Sequence, residues 1–506
     1  MTLPHPEDST TEAPVAEVIS GSLPRLTKTS TPNEAASPRR WWALAVIAFV
    51  QLVLVLDATI VSIALPWAQI ELQLSDGMRQ WVITAYALVF GSMLLLGGRV
   101  ADSWGRKRAF MLGLIGFGAA SLYGGLAGTG VELLIARGLQ GLFAALLAPA
   151  ALALLTVTFP FGRERGTAFA VYGALSASGA GVGYLLGGFL TEYANWRWCL
   201  LINLVFVAFG ALGGALVLRE SRSSQRGKLD IAGALTVTLG FGALVYGFTL
   251  AEFGWVRVDT LGFLGAGLVL LSTFVWIEHR AEHPLLPLRV LTHRVRAGAF
   301  LVQALLGSVL IGTTLYITLH LQLVLGIPPL LAGLGVAVQV VTTLAVTPVL
   351  TSLLPRIGPR PMLIVGPLIA AIATFMLVFV TPTGGYWSHV FPGVAIFGIG
   401  IGITIVPLQN LALVGVRSSD AGAASAAVSA TFQIGGSIGL AVFSLAAAAA
   451  TTVPEGSAAH DPAALASGFS AVFAVSTVIL LVAAALAALL VRGTQEELMP
   501  SHGEGR

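Results

Sequence analysis

Charge is scarce in this chain. Charged residues make up 10% of its 506 residues, against about 25% in soluble globular proteins, which excludes an ordinary water-soluble domain. A single cysteine, Cys199, excludes an intrachain disulfide and leaves the redox environment unread. Lysine occurs only at Lys28, Lys107 and Lys228, and the net charge of +3 is spread over short loops, so nothing suggests nucleic acid as a partner. The sequence also lacks the clustered His, Cys, Asp and Glu that a metal site or an interfacial membrane enzyme would need. What is abundant is apolar: 56% of residues are hydrophobic and the mean hydropathy is +0.87. Apolar segments of about 20 residues recur, each long enough to cross the ~30 Å hydrocarbon core as a helix.

Breaking the chain at charged and Pro/Gly-rich stretches gives fourteen spans: 42–65, 80–99, 109–128, 131–157, 167–191, 198–217, 231–250, 261–279, 297–323, 331–354, 361–381, 389–411, 421–448 and 469–491. Of the 27 Lys and Arg residues, all but Arg79, Arg137, Arg197 and Arg257 fall in the tails and in alternate loops on one side. By the positive-inside rule that side is the cytoplasm, and both termini lie there. Residues 1–40, polar and rich in Ser, Thr and Pro, read as a disordered cytoplasmic tail without a signal peptide. Residues 492–506 read as a second cytoplasmic tail. Short basic turns at Trp104–Leu112 and Arg356–Leu363 follow the second helix of each of two six-helix sets. The expected fold is therefore an all-α polytopic membrane protein, with six-helix bundles at 41–217 and 297–491 and an inserted pair at 231–279. Repeated bundles around a midplane site are a common plan for secondary transporters.

Two charges lie inside spans. Asp57 interrupts the first apolar run, where an acid costs roughly 2.5–3.5 kcal/mol on insertion scales and so signals function by default. Removal from water disfavours the charged form of a carboxyl, the condition for proton exchange. Arg137 lies in span 4. At ~1.5 Å per residue the two stand about 13 Å and 9 Å below the outer ends of their spans, close enough to meet. A buried pair can also be purely structural. Glu132, Glu192 and Glu252 fall near outer ends, Asp230 and Glu278 near inner ends, and His320 near the interface as a polar anchor. The amides Gln51, Gln140, Gln303, Gln339 and Gln433, with the aromatic residues Tyr86 and Phe143, are candidates for a cavity lining. In span 5, Gly179, Gly183, Gly187 and Gly188 form a stripe that admits close helix contact, expected to seal against Gly333 and Gly335.

Several stretches carry a resemblance. Gly98-Arg99-Val100-Ala101-Asp102-Ser103-Trp104-Gly105-Arg106-Lys107 is similar to the signature loop between helices 2 and 3 of the major facilitator superfamily, and Asp102 is an acid that the positive-inside rule does not call for. Leu56-Asp57-Ala58-Thr59-Ile60-Val61-Ser62-Ile63-Ala64-Leu65-Pro66 resembles the first-helix motif of its fourteen-helix drug:proton antiporters, with Ser62 where Asn is usual. Ala136–Gly141 resembles their fourth-helix motif, Trp196-Arg197-Trp198 with Ile202-Asn203 the start of their sixth helix, and Gln433–Gly439 their thirteenth. Their fifth helix carries a Gly-Pro step, whereas here Gly183 is followed by Tyr184.

The resemblance implies a non-enzymatic, proton-coupled exporter of amphiphilic drugs in the inner (plasma) membrane, driven by the proton motive force without a cofactor or metal. Asp57 and Arg137 would couple the proton. Gly98, Asp102, Gly105, Arg106 and Arg108 would form an inner gate, latching onto the start of span 13 near Ser419-Asp420-Ala421. With one mid-membrane acid, substrates are expected to be neutral to monocationic, the protein working in the bilayer as a monomer. A proton-coupled importer on the same fold, or a polytopic enzyme or receptor, are the alternatives.

Overall fold

A computed structural model describes residues 39–159, 163–222, 230–282, 284–412, 414–416, 421–451 and 461–492. Fourteen long helices run through them: α1 (Arg39–Leu72), α2 (Asp76–Trp104), α3 (Arg106–Gly125), α4 (Gly130–Thr158), α5 (Arg163–Tyr193), α6 (Trp198–Val217), α7 (Ile231–Leu250), α8 (Val258–Arg280), α9 (Arg294–Leu319), α10 (Pro329–Ile357), α11 (Pro359–Leu377), α12 (Phe391–Ala412), α13 (Ala421–Ala450) and α14 (Pro462–Leu490). Thirteen are long and apolar enough to cross a membrane. The exception, α3, has 20 residues but opens on Arg106-Lys107-Arg108. The chain is thus an all-helical, multi-pass membrane protein. The tails and Ser419-Asp420 lie outside the described residues.

Every expected span corresponds to a helix, and the boundaries differ where polar residues continue or cap it. Helix α1 reaches Leu72, well past the apolar run ending at Leu65, because Pro66 is accommodated inside it. Helix α14 begins at Pro462, seven residues before the apolar run, because Asp461 caps the Ala463 N–H and Pro462 takes the first turn, where its missing N–H costs nothing. Thr129 and Glu132 form a reciprocal capping box that starts α4.

Packing repeats along the chain. Helix α2 lies on α4, and α3 on α4 and α6; likewise α10 lies on α12, and α11 on α12 and α14. The two short turns noted in the sequence are each a single glycine, Gly105 between α2 and α3 (φ 129°) and Gly358 between α10 and α11 (φ 82°). Such positive φ values strain any residue with a Cβ. Between the halves α2 meets α13 and α5 meets α10, and exchanging each helix for its counterpart turns one contact into the other. Helices α7 and α8 pair with each other, α7 also touching α2 and α13.

The α5–α10 contact is tightest at its outer end and reaches inward to Gly181, where a Cβ would stand 3.5 Å from Val340. A Cβ on Gly188 would stand 2.6 Å from the Pro329 carbonyl oxygen, and one on Gly333 2.3 Å from that of Tyr184. Glu192 adds a carboxylate that accepts from the Leu330 N–H at 2.9 Å, capping the positive end of α10. Further in, Gly166 and Gly173 of α5 face open space, and Val341, Leu344 and Val349 of α10 are exposed.

The glycine stripe divides in a way the sequence reading did not anticipate. Gly179, Gly183 and Gly187 lie against α1, where added Cβ atoms would come within 2.9, 2.8 and 2.8 Å of the carbonyl oxygens of Leu52, Leu56 and Ile60. Only Gly188 turns to α10, and Gly335 faces Leu321 and Tyr386 instead. Residues four apart share a face, so the first three follow one neighbour while Gly188, one step round the helix, meets the other. His320 likewise departs from an interfacial anchor. It opens a π-helical turn, His320–Val324, which redirects its ring inward beside Phe469, 6.4 Å between centroids. Both ring nitrogens are buried without a hydrogen-bond partner.

Candidate functional site

Asp57 is fully buried, and its carboxylate is held from two helices. Helix α4 presents Arg137 and Gln140 on one face, three residues apart, and α6 brings Asn203. Arg137 Nη1 donates to Asp57 Oδ2 at 2.8 Å. Gln140 Nε2 and Asn203 Nδ2 donate to Oδ1 at 3.0 and 2.6 Å. Hydrogen bonds to a charged group contribute about 1.5–3 kcal/mol each, which offsets the desolvation that makes a bare buried charge so costly.

Arg137 is satisfied as thoroughly. Its Nε donates to the Val82 carbonyl at 3.1 Å, Nη1 also reaches Gln140 Oε1 at 2.8 Å, and the guanidinium lies 4.5 Å over the Tyr86 ring. Behind them Ser121 of α3 accepts from Gln140 (2.8 Å) and Asn203 (3.2 Å) while donating to the Phe117 carbonyl (2.8 Å). One acceptor is left over: Asn203 Oδ1 is buried without a partner, an arrangement that costs about 1–3 kcal/mol. On the outer side Val61, Leu65, Val82, Leu133 and Leu200 enclose a small apolar gap.

The structure therefore brings together Asp57, Arg137, Gln140 and Tyr86. It separates the other cavity candidates. The Phe143 ring lies over Gly116, where a Cβ would come within 2.2 Å, so it fills the α3–α4 seam and does not face a cavity. Gln339 is buried and bonds Thr314 through both amide atoms (3.0 and 3.3 Å). Gln433 lies against Gly91 at the α2–α13 contact. Gln51 and Gln303 are half-buried, the former with a buried unpartnered oxygen. Tyr86 is buried, its face already taken by Arg137.

In the inner loop, Asp102 accepts from Arg106 Nε at 3.0 Å and Nη2 at 2.8 Å. Arg108 approaches Glu220 at 3.7 Å. Glu220, a residue the sequence reading passed over, caps α3 by accepting from the Lys107 and Arg108 N–H groups at 3.1 and 3.2 Å. Gly105 leaves it room, since a Cβ there would stand 2.8 Å from Glu220 Oε1. Lys107 Nζ caps the end of α6 through the Leu218 carbonyl at 2.7 Å. Asp102, Lys107 and Arg108 thus find partners in the first six helices or directly after α6, whereas Arg99 Nη2 donates to the Pro284 carbonyl, ahead of α9, at 2.7 Å. Gly98 packs on Pro149 of α4.

At the outer end the three remaining bases each find an acid: Arg79 pairs with Asp76 at 2.7 Å, Arg257 with Asp259 at 2.8 Å, and Arg197 with Glu71. Trp196 Nε1 also donates to Glu71 (2.6 Å), and Arg197 stacks on Trp196 and reaches the Ala127 carbonyl (3.0 Å). The Trp-Arg motif is thus a staple joining α1, the α3–α4 turn and α6. Ser121, Asn203, Glu220 and Glu71 were missed as site residues because each is an ordinary polar residue whose partner lies far away in sequence. For Asn203 the position beside the Trp-Arg-Trp motif was the available signal.

Comparison with known proteins identifies the family. Residues 47–440 match the family model described as Major Facilitator Superfamily. The chain is 43% identical over 480 residues to the puromycin resistance protein pur8 of Streptomyces alboniger, covering 92% of this chain and 94% of that protein. It is 33% identical to the lincomycin resistance protein of Streptomyces lincolnensis, covering 83% and 87%. Among solved structures, a bacterial homolog of the human lysosomal transporter Spinster superposes with a TM-score of 0.64 at 19% identity, covering 90% of this chain and 98% of that one. Fourteen helices in two repeated sets and a family match over most of the length make this chain a member of the major facilitator superfamily, a family of membrane transporters.

Proposed function

We propose that the protein exports amphiphilic drugs or antibiotics across the plasma membrane in exchange for protons. The observation that carries the reading is the Asp57–Arg137 pair at 2.8 Å, both side chains removed from solvent. Asp57 alternates between ionised and protonated forms as helices rearrange around it, since loss of a cationic or hydrogen-bonding partner changes a buried acid's proton affinity. Each proton that moves inward down a 100 mV potential contributes about 2.3 kcal/mol. Support for the substrate class comes from the relatives, whose names speak of resistance to puromycin and lincomycin. A single mid-membrane carboxylate, already paired, favours neutral to monocationic molecules.

Alternating access takes place between two six-helix bundles, 41–217 and 297–491, flanked by the pair 231–279, and one copy suffices. The contact between α5 and α10 at their outer ends, with open space beside Gly166 and Gly173, supports a resting state that receives substrate from the cytoplasm. Gly98, Asp102, Gly105, Arg106 and Arg108 act as the inner gate, with Glu220 as their anchor in this state.

The test is drug transport in everted and right-side-out vesicles under an imposed pH gradient, comparing the protein with Asp57→Asn. Drug should accumulate in acid-loaded everted vesicles with the native chain and fall to the empty-membrane level with the variant, which still inserts because a charge has been removed. Normal gradient-driven transport by Asp57→Asn, or transport only in the opposite direction, would refute the reading.

A further inference from the structure

The polar shell around Asp57 is unbalanced. It offers three donors to the carboxylate, from Arg137, Gln140 and Asn203, and so is built for the ionised acid. A protonated acid must donate, and the nearby acceptors are already used. Gln140 Oε1 receives Arg137, the Val82 carbonyl receives Arg137 Nε, and Ser121 Oγ receives both amides. The exception is Asn203 Oδ1, buried without a partner on the same carboxamide whose Nδ2 lies 2.6 Å from Asp57 Oδ1.

We propose that Asn203 is the positioning residue that registers the proton on Asp57: its amide nitrogen holds the ionised acid, and its oxygen accepts from the protonated one. This rests on Asp57 being the proton carrier. On loading, a proton from water bonds to Asp57 Oδ1, the N–H···O bond from Asn203 breaks, and the carboxamide turns about Cβ–Cγ. Its oxygen then receives the new O–H. The turn is torsionally soft because that bond is of the broad, roughly two-fold kind. No electron is transferred, and release reverses the steps. Arg137 loses its counter-ion but keeps Gln140, Val82 and the Tyr86 ring, so the cation is not stranded.

The turn also carries a signal. Asn203 stands five residues into α6, and its amide links α1 to α3 through Asp57 and Ser121. Reversing it weakens the donor to Ser121 and loosens three helices together. The titratable or charged groups within reach are Arg137 from α4, Tyr86 from α2 and Cys199 from α6; among the described residues α3 contributes only the Ser121 hydroxyl, and α5 presents Gly183 to this part of α1.

The experiment measures the pH dependence of transport in proteoliposomes together with infrared difference spectra on acidification, for the native protein, Asp57→Asn, Asn203→Leu and Asn203→Asp. Leucine keeps the branching at Cγ and the heavy-atom count and removes both functions. Because the lost bond to the ion is stronger than the lost bond to the neutral acid, the transport midpoint should move about one pH unit towards alkaline, a tenfold change in proton concentration. In the native protein, acidification should produce a carboxylic acid band that Asp57→Asn removes, accompanied by an asparagine amide change that Asn203→Leu removes. An unchanged midpoint and an unchanged amide signal in Asn203→Leu overturn the proposal. If the leucine variant does not reach the membrane, Asn203→Asp carries the test: a second carboxyl beside Asp57 should shift the midpoint further in the same direction, and no shift overturns the proposal. A pH-dependent, active Asp57→Asn protein would instead overturn the proton-carrier reading itself.

Discussion

The two halves of the chain use equivalent helix pairs for different chemistry. In the first half, α1 and α6 are joined by Asp57 and Asn203, and α3 and α6 by Ser121 and Asn203. In the second half the counterpart pairs are joined within the bundle by hydroxyls, Thr313 of α9 to Ser476 of α14 at 3.0 Å and Thr374 of α11 to Thr477 of α14 at 2.9 Å, and at their ends by Arg294 and Arg360 donating to the Leu489 and Ala488 carbonyls of α14. Ser121 and Thr374 stand equally far from the first residues of their helices, Arg106 and Pro359. A hydroxyl pair satisfies itself and has no charge to exchange. A carboxylate with an arginine must be held by many donors, and the first half supplies them. The repeat thus supplies a common scaffold, and in the proposed mechanism a single acidic residue decides which half carries the coupling.

The largest break in this comparison should come from Arg137→Leu, which leaves Asp57 charged and unpaired in the first half. Removing one partner of a buried pair typically costs 3–5 kcal/mol, so thermal stability in detergent should fall sharply and transport should stop. The double variant Asp57→Asn/Arg137→Leu should recover most of the stability and none of the transport. Equal melting temperatures for Arg137→Leu and the native protein would mean that the pair is not what the first half is built around.

A second test separates the ends of the α5–α10 contact. Gly188→Val places side-chain atoms where a Cβ already comes within 2.6 Å of the Pro329 carbonyl, so the outer ends must part. In a Cys199→Ser background, labelling of a cysteine placed at Val61 by an impermeant maleimide should rise severalfold. Gly173→Val, beside open space, should leave labelling unchanged. Similar labelling in both variants would show that outer closure does not depend on this contact.

The smallest effect concerns the hydroxyl pairs themselves. Thr374→Val removes the neutral hydroxyl that bonds the Ala371 carbonyl and Thr477 and should cost about 0.5–1.5 kcal/mol per bond without moving the pH dependence of transport. Ser121→Ala, at the corresponding place in the first half, should move that dependence, because Ser121 accepts from both amides that hold Asp57. A shift in Thr374→Val as large as in Ser121→Ala would erase the distinction between the halves.

Much of this was legible in sequence because a bilayer imposes strong rules. Fourteen apolar stretches and one acid inside span 1 follow from hydrocarbon thickness and charge burial, and each corresponds to a feature of the fold. Asp57 and Arg137 were visible as a pair because both are costly where they stand. Asn203 and Ser121 were not, because uncharged polar residues inside helices are common and mostly bond their neighbours. Glu220 carries no sequence signal of its own, because its role depends on Gly105 and the N–H groups at the start of α3 lying beside it.

The sequence by itself determined the helices and the presence of an intramembrane charge, since each depends on local composition along a single span. Only the tertiary structure decided which neighbour each face meets. It turned Gly179, Gly183 and Gly187 to α1 but Gly188 to α10, placed Phe143 in the α3–α4 seam, drew His320 inward and gave Asp57 three donors and one idle acceptor. The reason is geometric. Successive helix residues are about 100° apart, so one position of offset changes the partner, and which helix stands there is set by the packing of the whole bundle.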